Sequence, residues 1–419
     1  MAKVITTELQ HSGASAANIT LDSSKNVTAE NNLQVDGNLT VTGTIPADKL
    51  TGALPAISGA SLTGISSPTP GRNKIINGGM IINQRGNVTG KTTSSNSYFG
   101  PDRYQFKLTN NNAGTWSISQ ETDAPEGFSN SLLWHCTSGV TMSGSNNVYM
   151  RHKVEAQNLV DWKWGTSSAK DVILSFYVKS TETGTGTILA FHNDHDTSDA
   201  NTGYTYTISA ANTWERKTIQ LVKSTTDAFD ANNAAGLSLY FNMDGGPNLK
   251  TGTLNTSWAG WNEANWMVGQ TIAMAGTGKK YWITGIQLEE GTTATDFEHR
   301  SYGDELERCK RYFQQFGQAS GDGHIPIVTG YVRATNNVRA GYQFRPFMRA
   351  APSISSNGTL RGYNGASLDI NNGITMDSSN VQSAAVNHNG TGTFSTAGYG
   401  AIIDQGGNTA NYVAFSAEL

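Results

Sequence analysis

The sequence predicts an all-β protein, and three observations carry that expectation. Gly, Thr, Ser and Asn make up 170 of the 419 residues, about 41%. Charged side chains account for only 15%, well below the level usual in soluble domains, so the good helix formers that long helices need are scarce. Yet 9 Trp, 15 Tyr and 14 Phe supply large apolar surface for sizeable cores, which argues against a disordered chain. Small polar residues interleaved with aromatics suit short strands joined by tight turns. The length suggests roughly two to four domains.

Residues 1–70 are set apart. Leu33, Leu39 and Ile45 recur every six residues, as do Val35 and Val41, with Gly37 and Gly43 between them. Each unit reads as a short alternating strand and a glycine turn. One copy has too few apolar groups to offset its ordering entropy. The segment is therefore either a loose tail or, with copies side by side, an intertwined oligomeric shaft. Ser66-Ser67-Pro68-Thr69-Pro70-Gly71 reads as a linker.

From 71 to 300 the pattern predicts strands at Lys74–Asn83, Arg103–Leu108, Trp116–Gln120, Val172–Lys179, Thr187–His192, Arg216–Val222, Leu237–Met243 and Trp282–Leu288. That number of strands, with long loops, predicts a jelly-roll β-sandwich. In the connecting segment 301–320, spacing predicts a helix over 304–316. Asp304 is its expected cap and Glu307 its capping-box partner. Leu306, Cys309, Phe313 and Phe316 share one face, and Gly317 ends the run. Residues 321–419 predict a small β-sandwich or barrel, with strands at Ile325–Arg333, Val338–Phe344 and Tyr412–Leu419.

Several function classes are disfavoured. The net charge of −4 is spread out, whereas nucleic-acid binding needs clustered Lys and Arg. No stretch is apolar enough to insert into a membrane. Cys136 and Cys309 lie far apart without metal-ligand spacing and are expected as free thiols. No nucleophile elbow, P-loop or zinc-protease motif is present, and the acidic residues form no obvious catalytic pair. Glu289-Glu290 fits a strand end. The expectation is a protein without cofactor or enzymatic activity.

Three groups of residues resemble a known family. Asn73-Lys-Ile-Ile-Asn-Gly78, Ile81-Ile-Asn-Gln-Arg85-Gly86 and Tyr98-Phe-Gly-Pro-Asp102-Arg103-Tyr104 resemble the opening of the carbohydrate-binding-like jelly roll of bacteriophage tail fibres. Its close is similar to Tyr281-Trp-Ile-Thr-Gly285-Ile-Gln-Leu-Glu-Glu-Gly291, Phe297-Glu-His-Arg-Ser301 and Glu305-Leu-Glu-Arg-Cys309-Lys-Arg-Tyr312. Phe344-Arg-Pro-Phe-Met-Arg-Ala-Ala-Pro352 and Ala414-Phe-Ser-Ala-Glu-Leu419 resemble the terminal domain that often follows. The resemblance implies a homotrimeric, receptor-binding virion fibre made in the bacterial cytoplasm. Its N-terminus would attach to a tail, baseplate or capsid protein. Its β domains would meet host surface polysaccharide or lipopolysaccharide. A capsid or collar decoration fibre is the alternative, and a polysaccharide-degrading tailspike a more distant one.

Sugar binding needs flat apolar rings beside amides, hydroxyls and carboxylates. Trp258, Trp261, Asn262 and Trp266 supply these within a short segment, although sheet packing would also explain the tryptophans. Trp162 and Trp164 would share a strand face and fit the core. In the last domain Tyr363, Asn364, Asn371, Asn372, His388 and Asn389 are expected on loops, where they could meet a receptor. His192, Asp194 and His195 form the one metal-like cluster, and turn chemistry is the plainer explanation.

Overall fold

The protein is described by a computed structural model covering residues 8–9, 19–21, 27–29, 71–92, 94–108, 114–317, 324–365, 367–391, 394 and 397–419. It divides into two units, Met1–Ile65 and Ser66–Leu419. In the first, β1 (Glu8–Leu9), β2 (Ile19–Leu21) and β3 (Val27–Ala29) pair in an antiparallel sheet. The hexad repeat at 33–45 lies outside the described residues.

In the second unit, alternation of apolar and polar residues builds a sandwich. Its strands are β4 (Val88–Lys91), β5 (Ser94–Tyr98), β6 (Tyr104–Leu108), β7 (Thr115–Glu121), β8 (Ser131–Ser138) and β9 (Asn147–Glu155). They continue with β10 (Val172–Ser180), β11 (Gly184–His192), β12 (Asn201–Ile208), β13 (Glu215–Leu221), β14 (Ala235–Gly245) and β15 (Lys280–Glu290). Two six-stranded antiparallel sheets result, ordered β13-β10-β15-β8-β7-β4 and β12-β11-β14-β9-β6-β5. Their inner faces share one core, including Phe106, Trp116, Trp134, Phe176, Leu239, Phe241 and Ile283. The fold is the expected all-β sandwich of jelly-roll type.

Three expectations are corrected. Lys74–Asn83 is not a strand, because Asn77 (φ 60°) and Met80 (φ 58°) take left-handed conformations that break an extended run. The Asn73 side chain pairs with β15 instead, donating to the Ile286 carbonyl at 3.1 Å and accepting from the Leu288 N–H at 3.0 Å. Trp162 ends a 3₁₀ turn (Val160–Trp162), so Trp162 and Trp164 do not share a strand face. Both are buried in the core with rings 5.6 Å apart.

The third correction concerns the helix. It is α1, Tyr302–Lys310, capped by Ser301, whose Oγ accepts from the Asp304 N–H at 3.2 Å. Asp304 therefore stands three residues inside the cap. Phe313 and Phe316 belong to β16 (Phe313–Gly317), which pairs with β24 (Tyr412–Ser416). Strand pairing outweighs a helical preference too weak to extend a short helix alone. The strand β19 (Ser353–Asn357) completes this sheet, in the order β16-β24-β19.

The strands β17 (Pro326–Ala334), β18 (Asn337–Gln343), β20 (Thr359–Tyr363), β21 (Ser367–Ser379), β22 (Ser383–Thr391) and β23 (Gly400–Asp404) close into a barrel, β17-β18-β22-β21-β20-β23. Val332, Val338, Tyr342, Leu360, Ile370, Val386 and Ile403 are among the residues of its core.

Candidate functional site

Strand alternation that fills the sandwich core also decides what faces outward. On β14, Leu237, Leu239, Phe241 and Met243 point into the core, so Tyr240 and Asn242 stand on the outer face of the second sheet. Cross-strand register adds neighbours: Tyr240 lies opposite Arg151 on β9 and Leu189 on β11, and Asn242 lies opposite Tyr149. Gln105 on β6 lies opposite Arg151. Tyr149, Leu189, Phe191 and Tyr240 form a second apolar cluster, separate from the core, with Trp266 against it.

The long excursion between β14 and β15 folds back over this face. Trp266 places its indole 5.6 Å from the Tyr149 ring and 5.3 Å from the Tyr240 ring. Its Nε1–H donates to Asn242 Oδ1 at 2.8 Å, which satisfies a polar atom that packing would otherwise strand. Trp261 meets Trp266 edge-on at 4.4 Å and lies 6.1 Å from Phe191. It is 42% exposed, unlike the rings beneath it.

Polar groups flank this aromatic cluster. Asn262 caps a 3₁₀ turn (Glu263–Asn265) by accepting from the Ala264 N–H at 3.1 Å. Asn265 donates to Asn255, which donates to Asn201, at 2.8 and 2.9 Å. Arg151 donates to Gln105 and to the Tyr240 hydroxyl, and its guanidinium lies 5.0 Å from the Tyr240 ring centre. Burial raises the Tyr240 and Tyr149 hydroxyl pKa values, so both stay protonated and can donate at neutral pH.

Trp258 sits apart from this cluster. It is half-buried against Trp164 (5.8 Å) and His192 (5.5 Å), which makes it a packing residue of the core margin. The metal-like trio is engaged locally. His192 bonds the Asp227 carbonyl at 3.1 Å, His195 meets the Asp227 carboxylate at 3.2 Å, and Asp194 accepts from the Asp230 N–H at 3.2 Å. Among the described residues, no group of three or more His, Cys, Asp or Glu is placed to hold a metal ion.

The expected loop residues of the last domain are mostly on strands. Asn371 and Asn372 lie on β21, and His388 and Asn389 on β22. Inward alternation buries His388 inside the barrel, 3.3 Å from the Tyr342 hydroxyl, so a surface ligand cannot reach it. Asn389 donates to the Gly373 carbonyl at 2.9 Å and accepts from Asn337. Tyr363 ends β20 and is 41% exposed, and Asn364 follows in the turn.

Sequence reasoning found the exposed Trp261 and the half-buried Trp266 but missed Tyr149, Arg151, Phe191, Tyr240 and Asn242. These come from three strands distant in sequence. The available signal was parity: Tyr240 stands between Leu239 and Phe241, on the side where a sandwich strand usually carries polar residues.

No family model matches the sequence, and no curated protein matches it. Solved structures with a similar β arrangement include a candidate sugar-binding protein from Bacteroides thetaiotaomicron VPI-5482. It is 14% identical over 52% of this chain and 100% of that one, with a TM-score of 0.29. The enzymatically active domain of bacteriophage CBA120 tailspike protein 4 is 13% identical over 52% of this chain and 22% of that one, with a TM-score of 0.28. A Family 11 carbohydrate-binding module of Clostridium thermocellum is 10% identical over 49% of this chain and 97% of that one, with a TM-score of 0.25. Similarity at this level does not define a ligand for this chain, whose own residues must do so.

Proposed function

We propose that this chain binds saccharide at the Trp261–Trp266 corner of the outer sheet face and serves as a non-catalytic, receptor-binding fibre subunit of a virion. The observation that carries the binding role is the exposed Trp261 indole, held edge-on by Trp266 above Phe191, Tyr240 and Tyr149. Such a ring offers an apolar face to sugar C–H groups, with Asn262 and Glu263 beside it in the chain and Arg151 on the Tyr240 side of the same aromatic cluster as polar groups for ring hydroxyls. A site with one open indole binds weakly. Assembly as a homotrimer would multiply it, and linked sites raise avidity by roughly 10²–10⁴-fold.

The fibre role rests on the resemblance of runs within residues 73–104 and 281–312, and of residues 344–352 and 414–419. In that role the N-terminal segment joins a tail, baseplate or capsid protein, and the β domains reach host surface polysaccharide or lipopolysaccharide. The test is competition with the full chain: protein added to host cells before phage should slow adsorption, and Trp261→Ala should lose that effect at least tenfold. Blocking that survives Trp261→Ala unchanged would place the receptor site elsewhere. A trimeric chain that neither binds cells nor blocks adsorption would point to a decoration fibre. Release of reducing sugar from host polysaccharide would point to a tailspike enzyme.

A further inference from the structure

The barrel carries an aromatic surface of its own. Cross-strand register places Tyr331 on β17 opposite Gly400 on β23, and Thr329 opposite Ile402. On the other flank of β23, Tyr363 on β20 lies opposite the same Ile402. Val332, Leu360, Ala401 and Ile403 are buried in the barrel, so the alternate residues Tyr331, Tyr363, Gly400 and Ile402 share the outer face. Tyr331 is 44% exposed and Tyr363 41%.

Strand spacing and rise put the Cα atoms of the two tyrosines ~12 Å apart, diagonally across β23. Between them the surface is low. A Cβ built on Gly400 would meet nothing within 4 Å, and Ile402 is half-buried. Two raised rings therefore flank a shallow floor of backbone and one aliphatic side chain, all on rigid strands rather than loops.

The charged side chains beside this surface are paired: Arg339, opposite Tyr331 on β18, pairs with Asp377, which Arg333 also approaches at 3.8 Å. Arg361 places Nε 3.2 and 3.0 Å from the two carboxylate oxygens of Asp404, and its guanidinium lies 5.1 Å from the Tyr363 ring centre. That pairing steadies Tyr363, and the floor residues Gly400 and Ile402 carry no charge of their own to attract a phosphate or an acidic chain. The two exposed rings offer roughly 200 Å² of surface, far below the ~800 Å² per partner of a stable protein interface. An extended, uncharged ligand a few sugar rings long matches both the length and the chemistry.

We propose that Tyr331, Tyr363, Gly400 and Ile402 form a second saccharide-binding surface, for a neutral glycan segment, on the outer face of the barrel. It lies on different strands from the Trp261 corner, so either site can fail without the other. It would give each chain two points of attachment along one polysaccharide.

The test uses the full chain on a printed array of neutral bacterial O-polysaccharides and β-linked gluco-, galacto- and xylo-oligosaccharides. Trp261→Ala should keep signal on at least one glycan, and adding Tyr331→Ala and Tyr363→Ala should reduce that signal at least tenfold. Gly400→Val, which fills the floor and keeps both rings, should reduce it as well, guarding against a misfolded tyrosine variant. The proposal is overturned if Trp261→Ala gives no signal above the combined variant. It is also overturned if the tyrosine substitutions lower the mass measured by sedimentation, since the surface would then join copies of the chain.

Discussion

At the scale of single residues, burial of titratable groups sets how stability responds to pH. Glu155 is fully buried, and burial alone would raise its pKa. Hydrogen bonds from Arg311 (two at 2.8 Å) and the Tyr312 hydroxyl outweigh burial and hold the carboxyl below its usual range. Its contribution is complete above the unfolded carboxyl pKa and is lost as pH falls through the lower folded value. Glu155→Gln should destabilise the protein by about 2–3 kcal/mol at pH 7 in urea titrations, because Arg311 loses its charged partner. His388 works through the neutral form: burial pushes its pKa down to about 4. The unfolded chain takes up the proton first, so stability should fall by about 3 kcal/mol as pH drops from ~6.5 to ~4. His388→Gln should flatten that part of the profile in thermal melts.

At the scale of elements, close approach and capping decide what is tolerated. Gly78 lies against β15, where an added Cβ would fall 2.1 Å from the Ile286 carbonyl oxygen. That oxygen is backbone and cannot swing aside. Gly78→Ala should therefore cost several kcal/mol, visible as a lower urea midpoint, whereas Ser301→Ala should cost about 1 kcal/mol through loss of the α1 cap. The same elements show what was legible beforehand. Strands whose apolar residues alternate, such as Leu237–Met243, could be read directly, because period two has one physical meaning there. The 71–83 segment could not. Its isoleucines look like a strand, but Asn73 and Asn77 use side-chain amides in place of a ladder, and sequence does not say which amide finds a backbone partner. Phe313 and Phe316 suited a helix face equally well, and only β24, about a hundred residues later, settles the choice. For the outer-face cluster, the excursion that holds Trp261 and Trp266 was visible, while the strand residues beneath it depended on register between strands.

At the scale of the whole second unit, buried charge joins the sandwich to the segments that flank the β16-β24-β19 sheet. Glu418 pairs with both Arg85 (2.9 Å) and the almost fully buried Arg103, whose guanidinium lies 3.4 Å from the Tyr312 ring centre. Arg349 donates to the carbonyls of Asn233 (2.9 Å), Ala417 (2.8 Å) and Glu418 (3.0 Å), tying the entry to β14 to the end of the chain. Glu418→Ala leaves Arg103 buried without its carboxylate and should cost about 3–5 kcal/mol. Calorimetry should then resolve two transitions for this unit in place of the single one expected of the parent chain.

The position of β24 sets a timetable for synthesis. It is the middle strand of its sheet, so β16 and β19 have no partner there until residues 412–416 have been made. At ribosomal speeds of ~5–20 residues per second, β16 waits roughly 5–20 s with its pairing edge open. During that interval the earlier sandwich can already be folded while its neighbour is unfinished. Any shortage of chaperone or slowing of translation would therefore show first as aggregation through β16 and β19, with the sandwich intact.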